Sequence, residues 1–461
     1  MTPVTRVVIL GGGPGGYEAA LVAAQLGAEV VVVDRDGLGG SAVLTDCVPS
    51  KTLVATAEVM TLAAESGELG VRLGRGDAGG SSVGVDLGAV NTRVKRLALA
   101  QSEDIRTRIE REGIRLVVGA GSLVEPCVVA VDGERIEADA VLVATGARPR
   151  VVAGAEPDGE RILTWTQVYD MDRTPERLIV VGSGVTGAEF ASAYLALGSE
   201  VVLVSSRDRV LPGEDADAAE VIEGVLQRRG MTVMGRSRAS AVVREGDRVV
   251  VSLADGRTVE GSHCLMAVGS VPNTTGLGLE DLGIRLDPRG FVEVDRVSRT
   301  SARGVYAAGD CTGVLMLASV AAMQGRIAMR HLLGDAVAPL DLKSVSSNVF
   351  TDPEIATVGV TQAEVDAGTR NVVSVKLPLA TNARAKMLGI TDGFVKIFAT
   401  GGMRTVLGGV VVAPRASELI FPLALAVQQR LTVDEVAAAF TVYPSLSGSV
   451  AEAARQLHPH A

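Results

Sequence analysis

The chain is poor in cysteine, histidine, aromatic residues and positive charge, and each shortage removes a class of function. Its four cysteines (Cys47, Cys127, Cys264, Cys311) and four histidines (His263, His331, His458, His460) lack the close spacing of a zinc site or vicinal redox pair. No metal is expected. Cys127, Cys264 and Cys311 read as buried spare thiols, and His458 and His460 fall in a tail expected to fray. Aromatic content of 3% and a formal charge of -10 leave no basic stripe interleaved with aromatics, which disfavours nucleic acid. The apolar region from Val7 to Val33 is broken by glycines, Pro14, Glu18 and Glu29, so it reads as strand, turn, helix and strand. Neither stable membrane insertion nor a basic leader with an apolar stretch is indicated, and a cytoplasmic location is the expectation.

What is present in quantity is glycine, 54 residues in a chain of 461, together with valine and alanine. Small residues let parallel strands and helices approach closely. A chain of this length exceeds one ordinary core, so a multidomain α/β protein is predicted.

The first motif is Gly11-Gly12-Gly13-Pro14-Gly15-Gly16, between an apolar strand (Arg6 to Leu10) and a predicted helix (Tyr17 to Leu26). A second strand, Val30 to Val33, ends in Asp34, at about the 20-residue distance where an acid accepts adenosine ribose hydroxyls. Gly11 makes the tight turn, Gly13 admits a pyrophosphate to the backbone, and Gly16 brings helix against strand, with the helix N-terminus stabilising the phosphates. The unit recurs as strand Leu178 to Val181, turn Gly182-Ser183-Gly184-Val185-Thr186-Gly187, helix Ala188 to Leu197 and strand Val201 to Val204.

In the repeat the ribose acid is replaced by Ser205, followed by Ser206 and Arg207. The charge that would repel a 2'-phosphate is gone, and an arginine with two hydroxyls can bind one, so NADPH is expected to be accepted. The alternative keeps Arg207 as a solvated loop charge with NADH preferred. Two dinucleotide units imply two dinucleotides, most simply a held FAD and an exchanging NADPH or NADH, which together form a hydride relay.

Four further segments carry a family resemblance: Gly39-Gly40-Ser41 through Cys47-Val48-Pro49-Ser50-Lys51, Ala144-Thr145-Gly146, Gly304 through Asp310, and Tyr443-Pro444-Ser445-Leu446-Ser447. In this order they resemble the pyridine nucleotide-disulfide oxidoreductases, which include lipoamide dehydrogenase and glutathione reductase. The resemblance covers nearly the whole chain. It implies two Rossmann-like domains, for FAD and NAD(P), plus a C-terminal α+β interface domain opening near Val349 to Glu354, and hence a homodimer. The implied boundaries are 1–150 and 276–345 for the two parts of the FAD-binding region, 151–275 for the NAD(P) domain and 346–461 for the interface. The polar stretch Gly74 to Ser82 reads as an exposed loop.

By the same resemblance Gly11, Gly13, Pro14, Gly15, Gly16, Asp34, Gly40, Ser41, Lys51, Thr145, Gly146, Asp310, Leu317, Ala318 and Ser319 surround FAD. Gly182, Gly184, Val185, Thr186, Gly187, Ser205, Ser206, Arg207 and Gly269 join the cofactor set on the nicotinamide side, where Glu189 sits beside the ring. Lys51 near flavin N5 and Glu189 are the implied catalytic pair, possible ion-pair partners beneath the flavin; the plain alternative is a helical surface pair. Cys47 is either a functional thiolate or a relic core cysteine, since a helix start near Pro49 and Lys51 lower its pKa while Asp46 raises it. Trp165 and Tyr169 read as core or hinge aromatics.

The departures are as informative. Where lipoamide dehydrogenases carry Cys, four residues, Cys, this chain has Ala42 and Cys47, and one sulfur cannot form or resolve a disulfide. The family's acid–base His and supporting Glu align with Tyr443 and Gly448. A tyrosine titrating near ~10 is a poor shuttle at neutral pH. Electrons are therefore expected to pass from flavin directly to a second substrate, for which a small-molecule quinone is the expectation. The segments 40–51 and 442–449 are especially similar to an actinobacterial branch of the family that reduces quinones and lacks lipoamide dehydrogenase activity. A soluble transhydrogenase, an NAD(P)H oxidase and a redox sensor that holds FAD and NAD(P)H without turnover are the alternatives.

Overall fold

The computed structural model describes residues 4–71, 83–368 and 371–458. The 74–82 stretch and His460 therefore lie outside the described residues. The chain divides into two compact units, one of Met1–Thr52, Asn91–Arg150 and Gly269–Asp341, the other of Leu53–Val90, Val151–Val268 and Leu342–Ala461.

The first unit is built on a five-stranded parallel sheet in the order Val305–Ala307, Ala140–Val143, Arg6–Leu10, Glu29–Asp34, Arg115–Val118. Its strands are apolar at consecutive positions because both faces are covered. Val7, Ile9, Val30, Val32 and Leu142 pack with Ala19, Ala20 and Ala23 of the helix Pro14–Gln25. Val8, Leu10, Val31, Val33, Val141 and Val143 pack with Leu123, Val129 and Ile136 of the antiparallel strands Gly121–Glu125, Val128–Val131 and Glu134–Glu137. Each such side chain withdrawn from water contributes about 1.5–3 kcal/mol before entropic costs.

The second unit repeats the parallel sheet in the order Thr232–Met234, Glu200–Val204, Arg177–Val181, His263–Met266, Ile162–Thr164. Ile179, Val181, Val202 and Val204 again face an antiparallel sheet, through Val242, Val249, Val251 and Val259. Its C-terminal part is an antiparallel sheet ordered Ser346–Val349, Glu354–Gly359, Val406–Ala413, Phe394–Thr400, Val372–Pro378. Helices pack on it through Leu423, Ala426, Val450 and Ala453. The expected α/β class, with two dinucleotide-type folds and a C-terminal α+β part, is the one observed. Trp165 and Tyr169 are buried, as core aromatics should be.

Three helix starts differ from expectation, all in the same direction. The first motif helix begins at Pro14 rather than Tyr17, and the second at Val185 rather than Ala188. The helix expected to start near Pro49 is Cys47–Glu65, so Cys47 is its first residue rather than preceding it. A proline in the first turn of a helix costs little because the N–H groups there have no intrahelical partner. Among the described residues no helix is long and apolar enough to cross a membrane.

Candidate functional site

In the first unit the glycine turn is fixed by close contacts. Gly11 has φ +104°, and a Cβ there would lie 2.3 Å from the Ala144 carbonyl oxygen. A Cβ on Gly16 would lie 1.8 Å from the Gly11 oxygen, so the helix can meet the strand this closely only with glycine. Gly13 is different: its backbone is extended, and a Cβ would approach nothing nearer than Gly40 Cα at 3.9 Å. Gly13 also caps the helix Pro14–Gln25 without a side-chain hydrogen bond; Pro14 has no N–H and the Gly16 N–H donates to the Gly13 carbonyl, so the Gly15 N–H and the positive end of the helix are what this turn offers an anion. Asp34 accepts from the N–H of Gly12 at 2.6 Å, of Gly37 at 2.6 Å and of Asp36 at 3.0 Å, so its carboxylate is held at the strand end beside the turn.

The other expected flavin residues of this unit are positioned from three more segments. Gly40 packs on Gly13, where a Cβ would meet Gly13 Cα at 2.8 Å, and Ser41 is exposed in the short helix Gly40–Leu44. Thr145 Oγ1 donates to the Asn273 carbonyl at 2.8 Å while Asn273 Nδ2 donates back to the Thr145 carbonyl at 3.0 Å, which locks the strand end that leads to Gly146. The buried Gln324 side chain accepts from Gly309 N–H at 2.8 Å and so orients the turn carrying Asp310. Burial, and then the nearby Asp46 charge, push the Asp310 carboxyl up to about 6. The helix Ala318–Leu332 presents its N-terminal residues Ala318 and Ser319 after Leu317 and crosses Pro14–Gln25 closely, because Gly325 leaves 2.1 Å between a notional Cβ and the Gly15 oxygen. Neither Asn273 nor Gln324 was expected from sequence. Asn273 acts on a backbone group 128 residues away and Gln324 on one 15 residues back, and no motif announces either.

The second unit reproduces the turn. Gly182 has φ +115°, and a Cβ on Gly187 would lie 1.9 Å from the Gly182 oxygen, whereas a Cβ on Gly184 would meet nothing within 4 Å. Gly184 caps the helix Val185–Ala196, again with no side-chain hydrogen bond, and Thr186 is half-buried in its first turn. Ser205 Oγ lies 2.7 Å from Ser183 Oγ and accepts from Arg207 N–H at 3.0 Å. Ser205 is fully buried. Its hydroxyl therefore shapes the loop, in contrast with the expectation that both serine hydroxyls face a phosphate; Ser206 and Arg207 are exposed. Among the described residues no ion pair or hydrogen bond engages the Arg207 guanidinium. Gly269 belongs to the first unit, with φ +92° and open space beside it.

Lys51 lies in the first unit, one helical turn beyond Cys47, and Glu189 lies in the second. Glu189 is only 4% exposed, so the surface-pair alternative does not describe it. Its Oε1 accepts from the Phe350 N–H at 2.8 Å, and one turn on, Ser192 Oγ accepts from the Asp352 N–H at 3.3 Å. The loop 350–352 lies about 160 residues away in sequence, beyond the reach of motif reading.

None of the four cysteines is in a disulfide. Cys264 and Cys311 are buried as expected, but Cys127 is only half-buried, because its Sγ reaches the Asp139 carbonyl near the end of an exposed hairpin. Burial above all pushes the Cys311 thiol up to about 11, so it is inert despite its place next to Asp310. Cys47 is half-buried, and Ala42 takes the place of an outer thiol in the preceding short helix. Tyr443 is 86% exposed in the single chain, and Gly448 is the first residue of the helix Gly448–Gln456. Among the described residues no group of three or more His, Cys, Asp or Glu is arranged to hold a metal ion. A cavity of about 990 Å³ in the first unit is lined by residues of 285–306, 312–314 and His331; it takes in Gly304, Val305 and Tyr306 of the 304–310 segment but no residue of the first glycine turn, nor Asp34, Lys51 or Asp310. Its Arg285 and Arg299 are already paired with Glu293 and Asp295, so it is not where the cofactor motifs converge.

Comparison with known proteins places nearly the whole chain in one family. The family model described as pyridine nucleotide-disulphide oxidoreductase matches residues 5–325, and the dimerisation-domain model of that family matches residues 345–454. The chain is 55% identical to the NAD(P)H dehydrogenase (quinone) of Mycobacterium tuberculosis, over 99% of this chain and 94% of that protein. It is 34% identical to the dihydrolipoyl dehydrogenase of Chlorobaculum parvum, over 97% and 96% of the two chains. The crystal structure of LpdA from Mycobacterium tuberculosis superposes with a TM-score of 0.93 at 54% identity, covering 99% of this chain and 100% of that one. The HOCl-induced flavoprotein disulfide reductase RclA from Escherichia coli superposes at 0.87 with 23% identity, covering 98% and 100%, a likeness of fold alone.

Proposed function

Since the chain belongs to the pyridine nucleotide-disulphide oxidoreductase family, we propose that it is an FAD-dependent NAD(P)H:quinone oxidoreductase working without a redox disulfide. The observation that carries this reading is a joint one. Both glycine cradles are complete, while the outer thiol is Ala42 and the acid–base positions are Tyr443 and Gly448. The name of the 55% identical mycobacterial relative supports the acceptor class.

The first cradle suits FAD and the second a nicotinamide dinucleotide, because Gly13 and Gly184 leave open the space where a pyrophosphate must touch backbone. Bound FAD supplies a two-electron acceptor that takes hydride from nicotinamide and passes electrons to the quinone. The protein's part is binding, orientation and charge. Asp34 accepts from ribose hydroxyls, and Asp310 faces the ribitol. The Lys51 ammonium favours negative charge near the flavin N5 position. Glu189, pinned by the Phe350 N–H, borders the nicotinamide. The unengaged Arg207 and Ser206 favour a 2'-phosphate, which makes NADPH the better donor. A quinone needs no protein thiol, and the proton completing the hydroquinone comes from solvent rather than from a histidine.

We also propose a homodimer formed through the C-terminal sheet and helices. The dimerisation-domain match supports it, as do Phe421, Phe440, Val442 and Tyr443, all exposed on one protomer. Large apolar side chains left this exposed on one protomer are what an interaction surface would cover.

The test is a panel of acceptors. Purified protein is reduced with NADPH and mixed separately with menadione, lipoamide, glutathione disulfide, thio-NAD and oxygen while flavin absorbance is followed. Rapid reoxidation by menadione, retained in Cys47→Ser, is expected. Exchange with thio-NAD but not menadione would mark a transhydrogenase, reoxidation by oxygen alone an oxidase, and a single reduction without turnover a sensor. Fast lipoamide turnover would overturn the proposal.

A further inference from the structure

We infer that Arg229, which lies outside both glycine motifs, is a positioning residue for Glu189, acting through the backbone of the 350–352 loop; this rests on the reading of Glu189 as the nicotinamide-side residue. Arg229 caps the C-terminus of the helix Ala216–Arg228. Its Nη1 donates both to the Asp352 carbonyl at 2.9 Å and to the Asp352 carboxylate at 3.0 Å, and its Nη2 donates to Glu65 at 3.1 Å. One guanidinium thus grips the main chain and side chain of Asp352 through Nη1 and is anchored to Glu65 through Nη2, a two-nitrogen fork that a lysine ammonium cannot reproduce.

The gripped segment holds the Glu189 face of its helix. Glu189 and Ser192 are three apart in Val185–Ala196 and therefore share a face. They accept from Phe350 N–H and Asp352 N–H, two residues apart. The Thr351 hydroxyl donates to the Pro353 carbonyl at 2.8 Å and closes the turn between them. Fixing Asp352 therefore fixes both donors. A glutamate side chain has three rotatable bonds, and a shift of about 1 Å at a hydride-transfer site costs roughly a hundredfold in rate. The role of Arg229 requires no contact with substrate or cofactor. It sets where the carboxylate sits.

The experiment compares holoenzymes of wild type, Arg229→Met, Arg229→Lys, Asp352→Asn, Glu189→Gln and Arg229→Met with Glu189→Gln. Two quantities are read: hydrogen–deuterium exchange of the peptide carrying the Phe350 amide, and the rate constant of flavin reduction at saturating NADPH with its dissociation constant. Arg229→Met is expected to speed exchange at Phe350 and to slow flavin reduction about tenfold, with the dissociation constant changed less than about threefold. Arg229→Lys and Asp352→Asn should fall between it and wild type, and they carry the test if Arg229→Met does not fold. In the Glu189→Gln background the Arg229 change should slow reduction less than about twofold further, the signature of coupled residues. Equal slowing in both backgrounds, or unchanged exchange at Phe350, would show that Arg229 only stabilises the fold and would overturn the inference. If Glu189→Gln alone leaves flavin reduction unchanged, the reading of Glu189 fails, while the exchange data still judge the link from Arg229 to Phe350.

Discussion

The hydroxyls of Ser183 and Ser205 lie 2.7 Å apart, both buried, in the second unit where the first unit has the Gly12 N–H donating to the Asp34 carboxylate. The two turns have the same backbone plan, since Gly11 N–H donates to Val33 and Gly182 N–H donates to Val204 at matching distances of 2.8 and 2.9 Å. Only the charge differs. A carboxylate accepts ribose hydroxyls and repels a 2'-phosphate, whereas a neutral pair followed by a free arginine admits one.

Arg207→Ala should therefore lower kcat/KM for NADPH while leaving that for NADH nearly unchanged. A charge-assisted hydrogen bond is worth about 1.5–3 kcal/mol, so the ratio should fall roughly ten- to a hundredfold. Ser205→Asp should push the ratio the same way by repulsion. An NADPH/NADH ratio unmoved by Arg207→Ala would return Arg207 to a solvated loop charge.

Asp310 gives the pH dependence its sign. Its carboxyl is pushed up to about 6 in the folded chain by burial and then by Asp46, against an ordinary value of 3.8. The folded chain thus binds a proton more tightly than the unfolded chain. Stability from this group is complete below 3.8 and is lost as pH rises towards and through about 6. At about 1.36 kcal/mol per unit the loss is on the order of 3 kcal/mol. Measured on protein stripped of flavin, Asp310→Asn should flatten the melting-temperature profile between pH 4 and pH 7. Asp46→Asn should move the loss to lower pH. A profile that is the same in wild type and Asp310→Asn would exclude Asp310 as its source.

Lys396 forms a buried ion pair with Asp215, their side chains 4% and 3% exposed, and also reaches Asp217. Burial alone would push the ammonium down, but hydrogen bonds and charge from Asp215 and Asp217 hold it above its ordinary value. Asp215 also caps the helix Ala216–Arg228. Lys396→Met strands a buried carboxylate and should cost about 3–5 kcal/mol, read as a lower denaturation midpoint. Adding Asp215→Asn should recover much of the loss, since asparagine also caps helices. Recovery should depend little on salt, because buried pairs are weakly screened. A midpoint unchanged by Lys396→Met would show the pair to be neutral.

Lys396 also shows where sequence reading stops. In the run Phe394-Val395-Lys396-Ile397-Phe398 the lysine shares a strand face with two buried phenylalanines, and the partners that make its burial tolerable, Asp215 and Asp217, stand some 180 positions earlier. The glycine turns were legible because their physics is local: strand, turn and helix follow within about 20 residues, and Gly16 needs only Gly11 to define its contact. Ala42, Tyr443 and Gly448 were legible because a family pattern fixes those places. Asn273 and the Phe350–Asp352 segment were not, since each makes hydrogen bonds to a distant part of the chain, and Gln324 was not because a lone glutamine within a helix belongs to no motif. The inward turn of Ser205 was missed for a related reason. Its direction depends on Ser183, and a residue type alone carries no rotamer.

The glycines separate fold from binding most cleanly. Gly184 is exposed, its backbone is extended at φ -72° and ψ -174°, and a Cβ there meets nothing within 4 Å. Gly184→Ala should therefore change stability by no more than about 0.5 kcal/mol. The methyl group nevertheless enters the space a pyrophosphate must occupy, so KM for NADPH should rise about tenfold, the scale of a lost charge-assisted contact. Gly13→Ala should behave likewise towards the other dinucleotide, yielding folded protein with reduced flavin content. Gly187→Ala, whose Cβ would fall 1.9 Å from the Gly182 oxygen, should instead lower the melting temperature before binding is measured. Normal NADPH saturation in a stable Gly184→Ala protein would mean that the dinucleotide phosphates do not lie on this turn, and the assignment of the second unit would have to be abandoned.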